Sequence, residues 1–215
     1  MEICKESLET KRMMVERNMK QGLMPFSKKF LGTYRNHFST IGINGMHEAL
    51  LNLFGEGIET EKGKQFSVKT LNFMREKISR YQEETNNMYN IEASPCESAT
   101  YRFAKKDREV YPDILTSGTA EKPYYTNSTH LPVNYTHDIY EALTHQDELQ
   151  TLYTGGTVLH GFLGESIEWD QAMRIVKKIA YTFKLPYFTI TPTFSVCPEH
   201  GYIKGEHFVC PEVVK

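Results

Sequence analysis

Cys197, His200 and Cys210 are the residues of this chain best suited to hold a metal ion. In Cys197-Pro-Glu-His200 a two-residue gap separates a thiol from an imidazole, and Cys210 follows after nine more residues. A gap of that size lets a tight turn aim both side chains at one ion, and two sulfurs with one nitrogen suit tetrahedral zinc. Gly201 and Gly205 bracket a Tyr-Ile-Lys segment, the pattern of a small hairpin with ligands at its ends. A second Cys-x2-Cys knuckle would need a ligand at Val213, which cannot bind metal, so the expected zinc ribbon is incomplete. The alternative is that both cysteines are ordinary reduced thiols and that His200 and His207 are surface residues.

Ser94-Pro-Cys-Glu-Ser-Ala-Thr100 is the best candidate for an anionic ligand. Small, hydroxylated residues between a strand and a helix leave backbone N–H groups exposed at a positive helix end, which is what phosphate oxygens need. Read more plainly, Ser94 or Ser98 is an N-cap that satisfies orphan donors. Cys96 can be a nucleophile with a lowered pKa or simply a small buried residue. Further along, His160 and Glu165 can form an acid and base pair, or be a structural strand histidine and the start of a helix. The hydroxyl-rich loop Tyr124 to Pro132 can hold a sugar or base, or be an ordered surface loop.

The elements that must position these groups follow an α/β order. Residues 2 to about 20 read as a helix ending before Gly22 and Pro25. His37 to Gly42 is strand-like, and Asn44-Gly45 turns into a helix from Met46 to Phe54 that ends at Gly55. Residues 66 to 88 form an amphipathic helix with Val68, Leu71, Phe73, Met74, Ile78 and Tyr81 on one face. A strand over Tyr89–Ala93 leads into a helix from Glu97 to Lys106, and Asp107 to Asn134 reads as loop with one strand at Thr129 to Val133. Helices over 138–152 and 166–183 alternate with strands over 157–162 and 187–190, which implies largely parallel pairing. The composition breaks near Thr193, dividing the chain into a main domain, 1–192, and an appendage, 193–215.

With 215 residues the chain can bury a sizeable core, and 25 basic residues interleave with 27 acidic ones for a net charge of −2. That balance gives no electrostatic case for binding nucleic acid or a membrane surface. No apolar run approaches the length of a bilayer span and the first residues lack signal-peptide character, so the expected location is cytoplasmic. Cysteines at 4, 96, 197 and 210 offer no disulfide framework.

Five blocks, in order, resemble the anaerobic, class III ribonucleoside-triphosphate reductases, the glycyl-radical enzymes that make deoxyribonucleotides. They are Arg35 to Leu50 (RNHFSTIGINGMHEAL), Asn90 to Phe103 (NIEASPCESATYRF), Tyr124 to Val133 (YYTNSTHLPV), Tyr153 to Glu165 (YTGGTVLHGFLGE) and Thr191 to Cys210 (TPTFSVCPEHGYIKGEHFVC). The resemblance implies an α/β fold, the second half of a ten-stranded α/β barrel carrying an incomplete C-terminal zinc ribbon. It implies that Ser94, Ser98, Ala99 and Thr100 bind substrate phosphate and that Cys197, His200 and Cys210 bind zinc. It also implies thiyl and glycyl radical chemistry on ribonucleoside triphosphates, with formate or thiols as reductant, a radical-SAM activase and a homodimer partner. The thiyl cysteine is expected before Met1 and the radical glycine beyond Lys215, so the chain alone is expected to be inactive. The rival expectations are a non-catalytic split or remnant subunit that binds nucleotide or assists assembly, a glycyl-radical lyase acting on small acids, and a zinc-ribbon nucleic-acid binder.

Overall fold

The computed structural model describes residues 1–133 and 135–211. It divides into two compact units, one of residues 1–135 with 152–157, the other of residues 136–151 with 158–215.

The first unit opens with helix α1 (Glu2–Lys20), whose Glu2 and whose Arg17 and Lys20 complement the helix dipole at either end. A short helix, α2 (Pro25–Phe30), begins with proline at its first position, where the missing N–H costs nothing. Strand β1 (Ser39–Gly42) leads through Gly45 into α3 (Met46–Phe54). Gly45 caps that helix at φ 75°, and Gly55 ends it at φ 73° with its N–H on the Leu51 carbonyl, so glycine is required at both ends. In α4 (Glu61–Thr85) the Thr60 hydroxyl accepts from the Gly63 N–H at 3.0 Å.

The buried stripe of α4 is Gly63, Ser67, Leu71, Met74, Ile78 and Tyr81, at helical spacing. Phe73, expected on this face, is 52% exposed, because it lies two positions past Leu71 and so falls off the stripe. Helix α4 packs on strand β2 (Tyr89–Glu92), with the Tyr81 and Tyr89 rings edge to face at 5.8 Å. Strands β1 and β2 pair in parallel, Ser39 opposite Tyr89 and Gly42 opposite Glu92, with α3 and α4 in the connection. Helix α5 (Glu97–Val110) follows β2 directly. A two-residue ladder, β3 (Ser117–Gly118) with β4 (Pro123–Tyr124), then packs on α5. No strand forms over Thr129–Val133; that stretch continues the ordered loop after β4.

Arg12 of α1 fixes the entry to β1. Its guanidinium donates to the carbonyls of Tyr34 and His37 at 2.6 Å each and to the Ser39 hydroxyl at 2.9 Å. Arg12→Ala is expected to cost about 2 kcal/mol, the scale of charge-assisted hydrogen bonds whose partners are left part-buried. Denaturant unfolding measures it, and Arg12→Lys, unable to span three acceptors, is expected to recover less than half.

In the second unit, α6 (Ile139–Thr151) precedes β5 (Leu159–Phe162), α7 (Trp169–Thr182) and β6 (Phe188–Thr191). Strands β5 and β6 pair in parallel, Leu159 opposite Phe188. Gly161 lets them pass, since a Cβ there would stand 3.0 Å from Ile190 Cδ1 and 3.1 Å from Ile139 Cδ1. An antiparallel hairpin of β7 (Phe194–Cys197) and β8 (Gly201–Lys204) follows. Among the described residues no helix is long and apolar enough to cross a membrane.

Candidate anion and metal sites

The carboxyl ends of β1 and β2 are where an α/β element offers a ligand its loops. Four segments of the first unit meet there. The Gly45 and Met46 N–H groups donate to the carbonyls of Thr126 and Ser128 at 2.9 and 3.2 Å, and the Ser128 N–H donates to Asn44 Oδ1 at 3.1 Å. On the far edge of β2, Gly155 N–H reaches the Ile91 carbonyl at 2.7 Å, and Ala93 N–H reaches the Gly156 carbonyl at 2.9 Å. Tyr153, beneath this junction, hydrogen-bonds Thr129 at 2.8 Å, and burial pushes its hydroxyl up to about 12.

Helix α5 starts at this junction. Its cap is Cys96 at φ 46°, a left-handed conformation that a non-glycine residue adopts at a cost, and the cap makes no side-chain hydrogen bond. The Ala99 and Thr100 N–H groups both reach the Cys96 carbonyl at 2.9 Å, and the buried Thr100 hydroxyl donates to the Glu97 carbonyl at 2.9 Å. Ala99 and Thr100 therefore shape the turn with donors already committed. The N–H groups of Glu97 and Ser98 are the two with no acceptor inside the helix, and the exposed Ser98 hydroxyl lies with them. Ser94 is half-buried beside β1, and a Cβ at Gly42 would stand 2.8 Å from its Oγ, so glycine keeps that side of the turn open. The turn can present two amides and two hydroxyls to an anion.

A cavity of about 360 Å³ lies beside α3, bordered by Glu48, Asn52 and Tyr125. Most of its polar groups are taken: Asn52 pairs with the Leu115 backbone through both amide atoms, Tyr125 donates to Asp107 at 2.6 Å, and Glu48 accepts from Thr126.

His160 and Glu165 do not form a pair. The His160 ring hydrogen-bonds the Thr189 hydroxyl at 2.9 Å across the β5–β6 ladder, while the Glu165 carbonyl accepts the Thr193 N–H at 3.1 Å. Cys96 is exposed at its cap rather than buried.

The hairpin gathers the three metal-type ligands. Cys197 ends β7 opposite Gly201, His200 lies in the turn just before Gly201, and Cys210 returns after β8. His200 Nδ1 lies 3.5 Å from Cys197 Sγ and 3.4 Å from Cys210 Sγ, and all three ligand atoms fall within 4.8 Å of one another. Zinc bonds of about 2.3 Å to sulfur and about 2.0 Å to nitrogen, set at a tetrahedral angle, separate the two atoms by about 3.5 Å. The group can thus hold a metal ion, and its geometry fits zinc. Val213, the position of the missing knuckle ligand, lies outside the described residues.

The Cys197 thiol is brought down to about 6, first by the backbone N–H of His200, then by that of Glu199 and by the His200 ring. A lowered pKa favours the thiolate, so Cys197 is ready to ligate above pH ~6 instead of the ~8.5 of a free thiol. In the metal-free chain, alkylation of Cys197 by iodoacetamide is expected to reach half its maximal rate near pH 6, read by peptide mass spectrometry. Added zinc is expected to suppress it.

Sequence reasoning found the turn and the trio but passed over Glu92, which borders the same junction. The signal was present in Tyr89-Asn-Ile-Glu92, whose alternation places Asn90 and Glu92 on one face of the strand.

The family model described as anaerobic ribonucleoside-triphosphate reductase matches residues 1–213. The chain is similar to the anaerobic ribonucleoside-triphosphate reductases of Haemophilus influenzae, with 26% identity over 180 residues, and of Enterobacteria phage T4, with 24% over 174. These alignments take in 80% and 76% of this chain but 25% and 27% of those proteins, so the chain spans about a quarter of their length. The anaerobic ribonucleotide reductase of Thermotoga maritima with dATP in its specificity site superposes with a TM-score of 0.78 and 25% identity, over 98% of this chain and 35% of that one. Its complex with dATP and CTP gives 0.77 and 25%, over 95% and 34%. With a mixed α/β fold that matches part of those structures and a sequence matched almost throughout, the chain belongs to the anaerobic ribonucleoside-triphosphate reductase family.

Proposed function

We propose that this chain carries the substrate-phosphate turn of an anaerobic ribonucleoside-triphosphate reductase. The observation that carries the reading is the open start of α5, where the Glu97 and Ser98 amides have no acceptor among the described residues, at the carboxyl end of a parallel strand pair, and Gly42 leaves room beside Ser94. Ser94 and Ser98 supply hydroxyl donors, Ala99 keeps the approach small, and Thr100 braces the turn. The triphosphate of a ribonucleoside triphosphate is the ligand. The Thermotoga reductase, solved with dATP and CTP, lends support as a nucleotide-binding relative.

In this reading residues 1–192 are part of the family's α/β barrel and 193–215 part of its zinc ribbon, with zinc held by Cys197, His200 and Cys210. Zinc there supplies a structural cross-link of the hairpin. The reduction uses thiyl and glycyl radicals, formate or a thiol reductant, a radical-SAM activase and a dimer partner.

Calorimetric titration with inorganic tripolyphosphate tests the site. Saturable binding is expected, and Ser98→Asp, which sets a negative charge on the free amides, is expected to weaken it at least about 10-fold. Equal binding by both proteins would remove the α5 turn from the reading.

A further inference from the structure

One face of the β1–β2 pair carries acceptors that nothing among the described residues uses. Strand alternation buries Ser39, Ile41, Tyr89 and Ile91 and sets Thr40, Gly42, Asn90 and Glu92 on the other face. Asn90 Oδ1 is buried there without a hydrogen-bond partner. The half-buried Glu92 makes no side-chain hydrogen bond or ion pair among the described residues. The face therefore holds acceptors in want of donors.

Glycines pass close to both side chains. A Cβ at Gly155 would stand 2.9 Å from Asn90 Nδ2, and one at Gly156 would stand 3.4 Å from Glu92 Cγ and Oε1. Glu92 ends β2 two residues before Ser94, about 7 Å along an extended chain, so it lies one short step from the α5 turn. A carboxylate repels phosphate oxygens and is satisfied by hydroxyl donors. What fits over Glu92 is the neutral, donor-rich part of a ligand whose anionic part rests on the turn.

We propose that Glu92 is a specificity-determining residue that accepts a hydrogen bond from the ribose diol of the bound nucleotide. The inference rests on the phosphate reading above, and it deepens that reading by naming how a ribonucleotide is told from a deoxyribonucleotide. A deoxy sugar leaves the carboxylate with a donor missing, the situation in which a polar site discriminates most strongly.

The test is calorimetric titration of the 215-residue chain with CTP, 2′-deoxy-CTP, 3′-deoxy-CTP and inorganic tripolyphosphate. It is repeated for Glu92→Gln, which keeps the shape, and Glu92→Leu, which removes the acceptor. The wild-type chain is expected to prefer CTP over at least one deoxy analogue by about 10-fold. The preference is expected to shrink in Glu92→Gln and vanish in Glu92→Leu, while tripolyphosphate affinity stays within about 2-fold because the turn is untouched. If Glu92→Leu does not fold, as judged by circular dichroism, the Glu92→Gln ratio decides. Tripolyphosphate binding without ribose discrimination, or discrimination unchanged by both substitutions, overturns the inference alone. A wild-type chain that does not bind tripolyphosphate overturns the phosphate reading, and this inference with it.

Discussion

Glu48→Ala is expected to destabilise the first unit by about 3 kcal/mol, which for a chain of this size lowers Tm by roughly 6–12 °C. Glu48 is 1% exposed, and its carboxylate gathers four contacts. Both oxygens accept the Thr126 N–H at 3.0 Å, and Oε1 also accepts the Thr126 and Ser117 hydroxyls at 2.6 Å. Alanine leaves that buried N–H and one of the two hydroxyls without an acceptor, the Ser117 and Thr126 hydroxyls lying 3.2 Å apart and able to bond each other, and each stranded donor costs about 1–3 kcal/mol before relaxation. Glu48→Gln is expected to fall between the two, because its amide keeps one acceptor and turns a donor toward Thr126. Thr126→Ser, which preserves both donors, is expected to change stability by less than about 1 kcal/mol. Thermal and denaturant melts check the series; a Glu48→Ala protein as stable as the parent would show that the network contributes nothing.

The second large effect concerns the metal. Cys197→Ser or Cys210→Ser is expected to lower zinc affinity by more than about 100-fold, since each removes a sulfur ligand when even outer-shell partners are worth about 10–100-fold. His200→Ala belongs in the same class, because its Nδ1 sits within 3.5 Å of both sulfurs. His207→Ala is the control: it stands outside the trio and is expected to leave affinity within about 2-fold. Competition against a chromophoric chelator gives the constants. An affinity unmoved by Cys197→Ser would dissolve the site.

How legible these features were depends on how local their causes are. The trio was readable because its three ligands sit within one hairpin, where spacing and glycines alone dictate the turn. Helix α3 was readable from end to end because glycine at 45 and 55 is demanded by backbone geometry. Helix α2 was not: its six residues are too few for periodicity to register. The strand expected at Thr129 to Val133 does not form, and residues 126 and 128 just before it accept the Gly45 and Met46 amides, contacts about 80 residues away in sequence that no local pattern reveals. Glu48 was hidden for the same reason, since its partners lie 69 and 78 positions along the chain. In the α5 turn, residue types pointed to the place, but only the structure separates donors already spent on the Cys96 carbonyl from those still free.

The measurement that tests the central claim most directly is a 15N-resolved NMR titration of the chain with inorganic tripolyphosphate. If the start of α5 is the phosphate site, the Glu97 and Ser98 amide signals shift most and saturate together, with smaller shifts at Gly42 and Ser94. Shifts centred elsewhere, or saturation that leaves the Glu97 and Ser98 amides unmoved, would contradict it.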